Sequence, residues 1–62
     1  MKVKIKSFNG QLPSYLTVGR VYSVFSFNGS SALIRTDEGD LIFTEIRGAY
    51  HLNGGSWEVV ND

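Results

Sequence analysis

Two-residue alternation opens the chain. Lys2, Lys4 and Lys6 take one side while Val3 and Ile5 take the other, the pattern of a half-buried strand. Asn9-Gly10 interrupts it. Gln11 to Gly19, with a Pro13 that cannot donate to a ladder, reads as a long loop. Arg20 to Phe27 is dense in β-branched and aromatic residues and predicts a second strand. Asn28-Gly29 pairs two residues that tolerate positive φ, and predicts a tight reversal into a third strand at about Ser31 to Thr36. Asp37 to Asp40 makes the next turn and Leu41 to Ile46 the fourth strand, so residues 31–46 form a hairpin. Arg47 to Gly55 carries too many glycines for regular structure, but a single 3₁₀ turn around Ala49 to Leu52 fits it. Ser56 to Val60 is the last strand, with Trp57 and Val59 on one face and Glu58 and Val60 on the other.

Five strands, a long first loop, tight hairpins and a short irregular crossing before the last strand are the order of an all-β SH3-like barrel. A single domain spanning residues 1–62 is expected. An OB-fold is the nearest competitor, but it needs a helix between its third and fourth strands, where this chain has a tight turn.

The apolar positions outnumber the places a small barrel has for them. Val21, Phe25 or Val24, Ile34, Ile42 or Phe43, and Trp57 are the natural core. Tyr22 and Val24 oppose Val21 and Phe25, however, and Leu41-Ile42-Phe43 is continuous. Either some of these lie on the surface as an interface or the long loops fold over them.

Composition narrows the function. A chain of 62 residues buries only about 60% of its unfolded surface, so its stability is expected to be marginal. The absence of cysteine removes disulfides, zinc-thiolate sites and thiol catalysis. One His without a second argues against a transition-metal site. No cofactor is expected. Six basic and six acidic side chains give a net charge of zero, which argues against affinity built on many phosphates. The N-terminus lacks the apolar region of a secretory signal, and no stretch reaches the ~18 apolar residues of a membrane span. A cytoplasmic protein is the plain reading.

Catalysis finds little support in the residues. His51 would titrate near neutrality but has no nucleophile pattern beside it, and hydrogen bonding within its own turn suffices to explain it. Asp37, Glu38 and Asp40 fall in a hairpin turn, where backbone reasons select them. A calcium loop needs ~12 residues of set spacing. No catalytic residue and no metal ligand is assigned.

The stretches Leu16-Thr17-Val18-Gly19-Arg20-Val21-Tyr22-Ser23-Val24 and Ala32 to Asp40, followed by His51-Leu52-Asn53-Gly54-Gly55-Ser56-Trp57-Glu58, resemble short SH3-like proteins carried by tailed phages and prophages of enteric bacteria. That resemblance implies a phage or prophage origin and action in a bacterial host cytoplasm, and supplies no catalytic residues. The element order also resembles signalling SH3 domains. Tyr15 and Tyr50 could fill two of their aromatic places. The third strand opens with Ser31-Ala32 instead of Trp and the first loop has no acid, which argues against recognition of basic PxxP peptides.

The SH3-like layout would place a partner-binding groove between the first loop and the turn joining the second and third strands, lined by Tyr15, Phe27, Tyr50 and His51 with Arg47 at the rim. Tyr and Arg suit such a role because they combine area with a polar handle; the plainer alternative is that Tyr15 and Tyr50 only pack the loops down. The expected function is a protein–protein binding module without catalysis, its partner a host or phage protein or a second copy of itself. The alternative is a nucleic-acid-binding accessory domain using Lys2, Lys4 and Lys6, extended by Arg20 and Arg35. Lysines on a strand also guard sheet edges against unwanted pairing, which at zero net charge is the preferred account of them.

Overall fold

The structure, a computed structural model, describes residues 1–60. Six strands form one sheet: β1 (Lys2–Ser7), β2 (Val21–Phe27), β3 (Ser31–Arg35), β4 (Leu41–Glu45), β5 (Arg47–Ala49) and β6 (Gly55–Val60), with a 3₁₀ turn (Tyr50–Leu52) between the last two. The sheet order is β4-β3-β2-β1-β6-β5 and every pairing is antiparallel. The all-β, SH3-like expectation holds with one correction: there are six strands, not five. The additional one, β5, is three residues long and too short to show a period.

β2 serves both halves of the sheet. Val21–Ser23 pair with β1, while Val24–Phe27 pair with β3 after a register shift between Val24 and Ser26. This bulge at Phe25 bends the strand so that the sheet wraps on itself. Ile46 completes the wrap. Its N–H donates to Ser30 O (2.9 Å) and its carbonyl accepts from Trp57 N (2.8 Å), carrying the chain from one half to the other. The sheet is a nearly closed barrel.

The turns work by identifiable chemistry. Gly29 alone takes a positive φ (97°) in the β2–β3 turn. Asn28 acts differently from the paired positive-φ expectation: its Oδ1 accepts from the N–H of Ser30 (3.1 Å) and Ser31 (2.8 Å), an Asx-type turn. In the 36–40 turn, Thr36 N donates to Asp40 O at 2.7 Å and Gly39 N to Thr36 O at 3.0 Å.

Val3, Ile5, Leu16, Tyr22, Ala32, Ile34, Ala49, Leu52 and Trp57 make the core, with Leu12, Tyr15, Val24, Ile42 and Ile46 packed against it. Ile34 and Trp57 are where the sequence put them. Val21 is not: it is exposed and Tyr22 takes the inner face, while of the alternatives Phe25 and Val24 it is Val24 that packs inward. Phe43 is likewise exposed and Ile42 turns inward. Trp57 stacks edge-on against Tyr22 (centroids 5.8 Å apart), and its Nε1 donates to the buried Thr44 Oγ1 at 3.0 Å. Thr44 Oγ1 donates in turn to Glu45 O (3.1 Å), so this buried polar pair is satisfied.

Candidate functional site

The loop of residues 8–20 is pinned at three places, and this decides where its aromatics sit. At its start, Asn9 and Asn53 bracket each other: Asn9 Nδ2 donates to Asn53 O (3.1 Å), and Asn53 Nδ2 donates to Asn9 O (2.7 Å) and Gln11 O (3.2 Å). In the middle, Leu16 is buried in the core. At the far end, Asp37 gathers four groups. Thr17 Oγ1 donates to its Oδ2 (2.6 Å), Tyr22 Oη to its Oδ1 (2.9 Å), and Arg20 Nε lies 3.3 Å from Oδ1. Asp37 N donates to Tyr15 O at 3.0 Å. Tyr22 Oη also accepts the Thr17 N–H at 2.8 Å. Asp37, read from the sequence as a turn residue, is the tie between loop and hairpin.

Two groups of that tie, Asp37 and Tyr22, are shifted. The Thr17 hydroxyl, helped by the Tyr22 hydroxyl and the Arg20 charge, holds the Asp37 carboxyl below its ordinary range, against the opposing effect of burial. Burial pushes the Tyr22 phenol above its usual value, and the nearby Asp37 charge adds to the rise.

With the loop so held, Tyr15, His51 and Tyr50 meet. Tyr15 Oη and His51 Nδ1 share a 2.8 Å hydrogen bond, so His51 bonds across to the loop instead of within its own turn. The His51 ring stands edge-on to both tyrosines, with centroids 5.9 Å from each. The three line an open cleft of about 360 Å³ with Gln11, Pro13 and Asn53. Tyr50 is 76% exposed while its neighbours are half-buried.

Phe27 and Arg47 do not join them. They line a second depression of about 490 Å³ with Ser30, Glu45, Ile46 and Val59, where the two halves of the barrel meet. The five residues expected to share one groove therefore fall into two sites.

The basic residues are also divided. Lys2, Lys4 and Lys6 point off the outer face of β1, as the alternation predicts, but β1 is paired with β2 on one side and β6 on the other, so they do not guard a sheet edge as expected. Lys4 lies in register with Val21 on one side and Glu58 on the other. Arg20 is engaged by Asp37. The Arg35 guanidinium sits 5.2 Å from the Phe25 ring centroid and donates to Gly39 O (2.9 Å). Arg20 and Arg35 share a shallow depression with Val21, Ser23 and Phe25.

Part of the apolar surplus seen in the sequence lies on the surface beside Arg35, away from the expected groove. On the outer face of β2–β4, Phe25 is 54% exposed, Leu41 50% and Phe43 57%. Its signal was the uninterrupted Leu41-Ile42-Phe43 run. Among the described residues, no three His, Asp or Glu side chains gather where they could hold a metal ion, and no helix is long and apolar enough to cross a membrane. No protein-family model, curated protein or solved structure matches this chain.

Proposed function

We propose that the chain is a small non-catalytic binding module, of the phage or prophage type its sequence resembles, that takes a segment of a host or phage protein into the Tyr15–His51–Tyr50 cleft. The observation that carries this reading is the 2.8 Å Tyr15–His51 hydrogen bond beneath an outward Tyr50. An aromatic surface already fixed by its supports loses little side-chain entropy when a partner docks. Gln11 and Asn53 at the margin offer amides to an extended backbone. Arg47 and Phe27 lie outside the contact.

The nucleic-acid reading is weaker, because Lys4 faces Glu58 and Arg20 is held by Asp37. One experiment separates the two: capture on the tagged protein from enterobacterial lysate, with and without nuclease. The expected result is one protein retained after nuclease treatment and lost from Tyr50→Ala. Capture that vanishes with nuclease, or that ignores Tyr50→Ala, overturns the proposal.

A further inference from the structure

The sheet order leaves β4 at one end, paired with β3 on one side and with no strand on the other among the described residues. Its ladder runs Ser31↔Glu45, Leu33↔Phe43 and Arg35↔Leu41, with Ala32↔Thr44 and Ile34↔Ile42 between. The bonds at its two ends, Thr36 N to Asp40 O and Ile46 N to Ser30 O, fix the alternation. Even-numbered residues of β4 bond toward β3, and the main-chain groups of Leu41, Phe43 and Glu45 point to the open edge. The side chains of these same three residues stand on the outer face, and all three are exposed.

Natural edges are guarded by charged side chains, above all lysine, by proline, a bulge or shortness, or by a covering helix or loop. β4 carries no lysine, proline or bulge. It is five residues of Leu-Ile-Phe-Thr-Glu in regular register, with Leu41 and Phe43 on its outer face and one charge, Glu45, at its end. The opposite end of the sheet, β5, is three residues with a glycine at its centre.

We infer that β4 pairs with β4 of a second copy of this chain, antiparallel about a twofold axis at Phe43, forming one continuous sheet across the dimer. Of the registers that match outward main-chain groups, this one overlaps all five residues. Phe43 then meets its own counterpart, and Leu41 of each protomer meets Glu45 of the other. The charges support the same register. Along one cross-strand row of the outer face lie Arg35, Leu41, then the other copy's Glu45 and Ser31, and the twofold repeats the row in reverse. Opposite charges share a row, and no like charges face each other. Leu33, Leu41 and Phe43 of both protomers make one apolar strip, with Phe25 and Arg35 at its margins. The contact is isologous, so it uses up the open edge of β4 in both copies and closes. It lies apart from the Tyr15–His51–Tyr50 cleft, and the inference does not rest on the binding reading above.

The test is sedimentation equilibrium over a concentration series, together with residue-resolved amide exchange. The wild-type chain is expected at twice its 6.9 kDa protomer mass, with the Leu41, Phe43 and Glu45 amides gaining protection as concentration rises. Phe43→Lys puts like charges together on the axis and should weaken dimerisation by at least about tenfold without disturbing the core. Glu45→Arg should weaken it too, and Arg35→Glu combined with Glu45→Arg should restore it. A chain monomeric at millimolar concentration overturns the inference and leaves the edge to a strand of another protein. A dimer whose β4 amides stay unprotected, or one indifferent to Phe43→Lys, overturns it as well.

Discussion

Gly55 illustrates how much one missing methyl can decide. The turn before it is made by Asn53 and Gly54, both at positive φ, whereas Gly55 itself needs no unusual backbone. Its requirement is clearance: a Cβ there would run into the Ser7 carbonyl oxygen and lie 2.6 Å from Phe8 Cα. This is the place where β1 shifts register against β6 and the two backbones close in, with Ser7 and Ser56 sharing a 2.9 Å hydroxyl bond. Because the obstruction is main chain, it cannot rotate away. Gly55→Ala is expected to cost about 3 kcal/mol or more, in line with severe overpacking, measured as a lowered denaturant midpoint. A loss below about 1 kcal/mol would show that the strands part easily here. The sequence displayed the Gly54-Gly55 pair but gave no means of telling a glycine needed for φ from one needed for space.

At the scale of elements, the positions of every strand but the three-residue β5 were legible to within a residue or two, because alternation and turn residues both marked them. Which way a strand faced was less legible. In β2 both sets of alternate positions are apolar, and the choice of Tyr22 over Val21 is decided by a hydroxyl that reaches Thr17 and Asp37 from inside. No local pattern records that reach. The same gap hid the division of the expected groove, since the site of Tyr15 depends on how Asp37 and Asn53 hold the loop. Asp37 therefore makes a specific prediction. Its carboxyl is held below its ordinary pKa in the folded chain, so its contribution is present above the unfolded value of about 3.9 and disappears as pH falls through the lower folded value. Asp37→Asn should cost about 2 kcal/mol at neutral pH, as expected for hydrogen bonds to a charged acceptor. The gap to wild type should narrow in acid, as read from unfolding at pH 7 and near pH 2. A gap independent of pH would mean that the charge plays no part.

For the molecule as a whole, Trp57 is the joint. It lies on β6, stacks on Tyr22 of β2 and bonds to Thr44 of β4, so its surroundings exist only when both halves of the sheet are assembled. Its fluorescence and the far-ultraviolet circular dichroism are expected to report a single coincident unfolding transition. Separated midpoints would show that one half survives without the other.

The central place of β1 has a mechanical corollary. Lys2 pairs with Val60, so the beginning of β1 and the end of β6 lie side by side at one end of the barrel, on strands running in opposite directions. A load applied through the two termini pulls these strands apart sideways, not along their length. The ladder then carries the tension one rung at a time, as a zipper does, and never shares it across all its bonds at once. A chain built this way resists heat and denaturant through its whole core but yields to a tug on its ends at low force.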